Sequence, residues 1–387
     1  MPAVLEKFYI EDAQQLIKVC QLYAQADILA IDTEFVRTRT LYPKLGLIQI
    51  NDGKTLALID PVALSDLTPF WQLLENPNIQ KILHACSEDL EVFLTAGNCR
   101  PANLLDSQIV MSFLGHGLSM GYAAMIAHYT GIELDKSESR TDWMKRPLTA
   151  KQLVYAQADV EHLYNILPLL MADIKKAGWL DAAQEESELM VARKFSPIDD
   201  TQLYRNIKMA WRLNSLQLYR LQQLVIWRYQ QAKKKDRPIG FIVKDHTLLA
   251  LAQHNPDSVT AMTHVEGVEQ LDIKFKGKIM LSVMQNADKQ SQTIKQDELP
   301  KQIIRLDEYP GYKQNFKKVR AFINQLSEQT NLLPENLASK KQINQFLSWY
   351  FKLNDAENNQ HLVDIMQGWR QSLLGDKLLA FAKNDFN

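Results

Sequence analysis

Over the first 170 residues, short apolar runs alternate with stretches of helical periodicity. Ile28-Leu29-Ala30-Ile31 leads into Asp32-Thr33-Glu34-Phe35-Val36, an interior strand by its unbroken apolar start. Residues 45–50 and 55–59 flank Asn51-Asp52-Gly53-Lys54, the turn chemistry of a tight hairpin. These first three strands are therefore expected to be antiparallel. Lys81-Ile82-Leu83-His84 predicts a short buried strand, with Ser87 as N-cap of the helix that follows. Leu104-Leu105-Asp106 predicts another strand end. From Ser107 the pattern turns helical, and Thr149-x-x-Gln152 is a capping box opening a helix expected to run to about Pro168. A meander followed by βα units gives a mixed sheet with helices on its faces.

Beyond Ser196-Pro197 the strand signal nearly vanishes. Helical periodicity covers 211–231, 247–253, 316–328, 337–353 and 362–386, interrupted at Pro238-Ile239-Gly240, Asn255-Pro256 and Pro300. The polar stretch 285–297 reads as a linker between two small all-helical domains.

A chain of 387 residues has room for two or three domains. With 46% apolar and 23% charged residues, 14 Gly and 14 Pro, it is neither collagenous nor wholly disordered. No run of 18 apolar residues exists to cross a membrane, and the N-terminus lacks the basic and apolar regions of a secretory signal. Three cysteines, Cys20, Cys86 and Cys99, without C-x-x-C spacing point to reduced thiols in a cytoplasm rather than a disulfide or zinc framework. Charge is divided unevenly. Residues 1–200 carry a net −10 and residues 201–387 a net +9, with ten basic and two acidic residues in 201–250. Such a division suggests one part that handles cations and another that handles polyanions.

Asp32 and Glu34 are two apart on a strand, so both side chains leave the same face. Buried together they would repel unless a cation compensated, although a strand end emerging into solvent accounts for the pair equally simply. Asp89 falls in the first turn of a helix, where the dipole alone favours it. His84 and Cys86 read as packing residues. Tyr155 and Asp159 share a helix face one turn apart, with Gln152 and His162 extending a polar stripe that an amphipathic helix would show in any case.

Together these signals say more. Asp-x-Glu on a strand, an Asp in a helix's first turn and Tyr-x-x-x-Asp on a later helix, in that order, resemble the DEDD superfamily of 3′→5′ exonucleases, tyrosine branch. Asp32-Thr33-Glu34-Phe35, His84-Ala85-Cys86-Ser87-Glu88-Asp89, the run Leu134-Asp135-Lys136-Ser137-Glu138-Ser139-Arg140-Thr141-Asp142-Trp143, and Tyr155-Ala156-Gln157-Ala158-Asp159 are similar to the bacterial ribonuclease D family. The resemblance implies an α/β ribonuclease H-like exonuclease domain over residues 1–195 and two divalent cations, Mg²⁺ or Mn²⁺, per active site. In the family pattern Asp32, Glu34 and Asp159 hold the metal that activates water. Asp32 also bridges to a second metal that Asp89 reaches through water, and Tyr155 orients the attacking water. Four carboxylates without His or Cys suit hard cations, and two such ions can generate hydroxide and stabilise a leaving alkoxide. The expected products are nucleoside 5′-monophosphates released from a free RNA 3′ end.

In the basic half, Leu224-Val225-Ile226-Trp227-Arg228-Tyr229, Arg237-Pro238 and Asp245-x-x-Leu248-Leu249 resemble the HRDC domain, over about 208–290. Leu333-Pro334-Glu335-x-Leu337-Ala338-Ser339-Lys340-Lys341 and Gly368-Trp369-Arg370 resemble a second one over 299–387. Lys233, Lys234, Lys235 and Arg237, with Arg220, Arg228 and Lys244 nearby, offer phosphate contacts, or else form a solvated helix end. Lys136, Arg140 and Trp143 would contact phosphates or stack a base, or Trp143 would anchor an ordinary loop; Phe35 would border the terminal nucleotide, or belong to the core. Trp227 and Trp369 read as core. The resemblance adds tRNA precursors as substrate. The readings set against this one are a 3′→5′ DNA exonuclease of the same superfamily and a non-catalytic RNA-binding protein on this fold. No coiled-coil seam is present, so a monomer is expected.

Overall fold

The computed structural model describes residues 5–135, 137–354 and 363–386. A six-stranded mixed sheet organises the first half, in the order β1-β4-β3-β2-β5-β6. Strands β2 (Ile28–Val36), β3 (Lys44–Asn51) and β4 (Thr55–Ile59) form the expected antiparallel meander. Gly53, at φ +83°, turns the hairpin. The meander is not the start of the sheet. An edge strand, β1 (Glu6–Ile10), precedes it and pairs parallel to β4; it opens on two charged residues and is buried only at Ile10, which left a short apolar run, Phe8–Ile10, as its whole signal. On the other side β5 (Gln80–Leu83) and β6 (Leu104–Asp106) continue parallel from β2.

Strand periodicity divides the core in two. Leu29, Ile31, Ile48, Ile50, Ala57 and Ile59 pack beneath α1 (Ala13–Tyr23), α2 (Thr68–Glu75) and α3 (Ser87–Gly97). Ala30, Leu47, Leu58, Ile82 and Leu105 face the other way, toward α4 (Ser107–Phe113), α5 (Tyr122–Thr130) and α6 (Ala150–Ala177). The Thr149–Gln152 capping box opens α6 as expected. The helix does not stop near Pro168 but runs through it to Gly178, which takes the left-handed cap. Proline costs an interior helix about 3 kcal/mol, and burial of Leu163, Ile166, Leu167, Leu170 and Ile174 on one face outweighs that cost. Helix α7 (Leu180–Lys194) closes the domain.

The second half is all helical, as expected. Helices α8 (Ser215–Lys235), α9 (Ile239–Ile242), α10 (Asp245–His254), α11 (Val259–Met262) and α12 (Gln270–Ser291) enclose a core of their own. Helix α12 carries through 285–291, so the stretch read as linker is helical up to Ser291. Then come α13 (Tyr312–Thr330), α14 (Pro334–Leu337), α15 (Lys340–Tyr350) and α16 (Gly368–Arg370), the last continuing through a π turn into α17 (Asp376–Lys383). Each helical unit touches the other and the sheet domain. Asp236 Oδ1 accepts from Leu41 N at 3.0 Å and Tyr42 N at 3.1 Å. Arg205 Nη1 donates to Asn354 O at 3.3 Å, and the Arg305 guanidinium lies 4.6 Å from the Trp211 ring. Trp369 packs on Phe113 and Trp179.

Candidate active site

Asp32 and Glu34 leave β2 on the α6 side of the sheet, half-buried, as the period of two predicts. Asp159 meets them from the third turn of α6 and is 9% exposed. Carboxylate oxygens of the three lie within 4.8 Å of one another, and they form the one such acidic group among the described residues. Asp89 arrives from the opposite face, in the first turn of α3, and its Oδ1 accepts from Thr33 Oγ1 between the two β2 acids. Asp89 also heads the charged neighbours of Asp32, ahead of Asp159 and Glu34.

The turn that delivers Asp89 is built differently from the sequence expectation. Ser87 is the first residue of α3, and no side chain caps the helix. Instead Asp106, at the end of β6, accepts from Ala85 N and Cys86 N, each at 2.9 Å. This holds Ala85 in the left-handed region, at φ +54°. His84 packs as expected, its ring nitrogens 2.9 Å from Ser107 Oγ and 3.0 Å from Met120 O.

Two further residues border the site without having been singled out in the sequence. Tyr122 donates its hydroxyl to the backbone carbonyl of Asp159, fixing that turn of α6. Gln49 stands directly opposite Asp32 in the β2–β3 register, fully buried, with neither amide atom partnered. A lone polar residue inside Leu47-Ile48-Gln49-Ile50 was a legible signal; nothing local marks Tyr122.

Burial first, then mutual repulsion, raises the Asp32 carboxyl well above its usual range and Glu34 to about 9. Burial raises Asp159 to about 7 against the opposing effect of the Tyr155 hydroxyl, and Asp89 to about 6 against that of Thr33. Burial also raises the Tyr155 hydroxyl well above the ordinary phenol range. Packed acids whose leading charged neighbours are other acids fit a hard divalent cation, which takes oxygen donors alone. A cleft of about 460 Å³ opens beside them, lined by Leu134, Glu138, Lys151, Val154, Tyr155 and Asp159.

Comparison with known proteins extends the resemblance along the whole chain. The 3′-5′ exonuclease family matches residues 8–175, the HRDC domain 217–284 and the C-terminal HRDC domain of ribonuclease D 310–378. Ribonuclease D of Cronobacter turicensis is 42% identical over 95% of this chain and 98% of its own, and that of Escherichia coli K12 is 41% identical over 94% and 95%. The chain belongs to the ribonuclease D family. The crystal structure of E. coli RNase D superposes with a TM-score of 0.92 at 40% identity, covering 98% of this chain and 99% of that one. The catalytic core of RRP6 from Trypanosoma brucei, at 19% identity and a TM-score of 0.57 over 74% of this chain and 81% of its own, shares the fold. As a ribonuclease D this chain is a metal-dependent 3′→5′ exoribonuclease acting in RNA processing. No described helix is long and apolar enough to cross a membrane.

The RNA-contact candidates divide on this ribonuclease D fold. Lys233, Lys234, Lys235 and Arg237 are exposed around the C-terminal end of α8, beside the Asp236 contact with the sheet domain. Arg140 is exposed, and Lys136 lies outside the described residues. Trp143 is 1% exposed, so it anchors its loop and has no face free to stack a base. It packs so close that a Cβ on Gly46 would stand 2.7 Å from its carbonyl oxygen. Phe35 is half-buried against the α3-side core. Arg220 and Arg228 are buried in ion pairs with Asp288 at 2.5 Å and Asp245 at 2.7 Å, and thus hold helices together rather than await phosphates. Trp369 is core as expected, whereas Trp227 is half-buried.

Proposed function

We propose that the chain hydrolyses RNA 3′ ends with two divalent cations, Mg²⁺ or Mn²⁺, and matures the 3′ ends of tRNA precursors and other small structured RNAs. The observation carrying this reading is the packing of Asp32, Glu34 and Asp159 within 4.8 Å beside Asp89. Asp32, Glu34 and Asp159 would hold one cation, and Asp32 with Asp89 the second. When bound, the cations supply hydroxide at neutral pH and offset charge on the leaving oxygen. Asp106 and Thr33 orient Asp89 for this, as Tyr122 orients Asp159. Tyr155 keeps its proton at neutral pH, so its hydroxyl positions the attacking water by a hydrogen bond and abstracts nothing. The 460 Å³ cleft has the size for a terminal nucleotide. Arg140, Lys136, Phe35 and the Lys233–Lys235 and Arg237 cluster contact the RNA. The three domains, 1–195, 208–290 and 299–387, act as one monomer, and free Cys20, Cys86 and Cys99 suit a reducing cytoplasm.

The test is trimming of a labelled tRNA bearing extra 3′ nucleotides, with a matched DNA strand alongside. Stepwise release of monophosphates from RNA, abolished by EDTA and reduced at least about a thousandfold by Asp32→Asn, is expected. Equal or faster trimming of DNA would favour the deoxyribonuclease reading, and binding without trimming would reduce the carboxylates to relics.

A further inference from the structure

Among the described residues the most exposed large hydrophobic side chain is Phe275, at 73%. It belongs to a stripe on α12 with Leu271, 67% exposed, and Ile279, 46% exposed, each four residues from the next and therefore on one helix face. The segment around Phe275 closes one side of a cavity of about 400 Å³, whose other side is the Trp227, Gln231 and Lys235 face of α8. Lysines surround it. Lys276 is held by Asp272 at 2.7 Å, but Lys235, Lys274 and Lys278 have no ion-pair partner among the described residues. Lys274 Nζ lies 5.5 Å from the Phe275 ring centre. The indole Nε1 of Trp227 is buried without a partner where the same cavity is lined.

Like charges four apart on a helix repel, and the exposed ring gains almost nothing from folding, so this face keeps apolar surface and positive charge that a ligand would cover. An aromatic platform flanked by cations matches a strand of stacked bases with phosphates outside, and apolar contact alone would not call for three unpaired lysines. The face also connects to the catalytic domain. Lys235 precedes Asp236, whose carboxylate receives the Leu41 and Tyr42 amides of the segment leaving β2, the strand that carries Asp32 and Glu34.

We propose that the α8–α12 face of the first helical domain is a stacking site for single-stranded RNA lying 5′ of the nucleotides being removed, with Phe275 under a base and Lys235, Lys274 and Lys278 on phosphates. The proposal rests on the exoribonuclease reading above, and the experiment separates the two. Full-length protein would be given a tetranucleotide and a single-stranded RNA of about 15 nucleotides, the latter also tested for binding by anisotropy in EDTA. Phe275→Ala should weaken binding of the longer RNA about tenfold and lower kcat/KM on it through KM by a similar factor. Phe275→Trp should restore both. Lys274→Ala with Lys278→Ala should do likewise and flatten the salt dependence. Hydrolysis of the tetranucleotide should be unchanged in every variant. Equal losses on both lengths, or none on either, would overturn the stacking site while leaving the exonuclease intact; no loss would mean that a protein partner, not RNA, covers the face. Failure of the wild type to cut the tetranucleotide would instead count against the catalytic reading, with the EDTA binding arm still deciding the site.

Discussion

Glu34 and Asp159 hold protons to about 9 and about 7 in the folded chain without a cation, whereas both ionise near 4 when unfolded. The folded chain thus binds more protons than the unfolded one above about pH 4. That share of stability is complete below the unfolded values and is lost as pH rises through about 7 and then about 9. On the proposed function a divalent cation replaces those protons, so the rise in melting temperature on adding Mn²⁺ to EDTA-treated protein should be small near pH 6 and larger near pH 8.5. Scanning calorimetry at the two pH values checks this, and an equal rise at both would contradict it. Asp159→Asn should flatten the difference. Of these residues, Asp32 and Glu34 were legible as a pair because a strand repeats every two residues. Asp89, Tyr155 and Asp159 looked ordinary alone and gained meaning only in ordered combination. Asp106 and Tyr122 were not legible in their roles, since Asp106 works through amides some twenty residues away and Tyr122 through a carbonyl 37 away.

Helix α6 sets where the candidate catalytic acids meet, because it carries Tyr155 and Asp159 over β2. Its start is fixed by Thr149, whose hydroxyl accepts from Gln152 N at 3.1 Å while Gln152 Oε1 accepts from Thr149 N at 3.0 Å. Gln152 Nε2 also donates to Thr141 Oγ1 at 3.0 Å, tying the preceding loop to the same turn. Thr149→Ala should therefore lower stability by about 1 kcal/mol in urea unfolding, and the added loosening of Tyr155 should reduce kcat more than it raises KM. Elements with sharp punctuation, the Asn51–Lys54 hairpin and this capping box, were readable from the chain. Elements whose existence depends on distant neighbours were not. β1 is a strand because β4 offers it an edge, α6 passes Pro168 because the sheet buries its far end, and α12 forms where Ile273, Met280 and Met284 pack into the core it shares with α8.

The three domains do not share cores equally. Phe113, Ala182 and Ala183 of the sheet domain belong to one buried cluster with Val363, Ile365, Trp369 and Leu374 of the C-terminal unit. Polar contacts lock the seam: Trp369 N donates to Glu185 Oε2 at 3.0 Å, Trp369 Nε1 to Glu186 Oε2 at 3.1 Å, and Arg370 pairs with Glu186. Gly368 permits the approach, since a Cβ there would stand 1.8 Å from Glu185 Oε1. By contrast the first helical unit folds around its own core and meets the sheet domain mainly through Leu41, Tyr42 and Asp236. Calorimetry should accordingly show two transitions, one for the sheet domain with the C-terminal unit and one for the first helical unit. Trp369→Ala removes a side chain 8% exposed from the shared core. Such truncations cost about 3–5 kcal/mol, and for units this large each kcal/mol lowers a melting temperature by roughly 2–4 °C. The variant should shift the first transition down by about 10 °C and leave the second in place. If both moved together the chain would unfold as one body; if the sheet domain kept its melting temperature, the C-terminal unit would be an attachment to it and not part of its core.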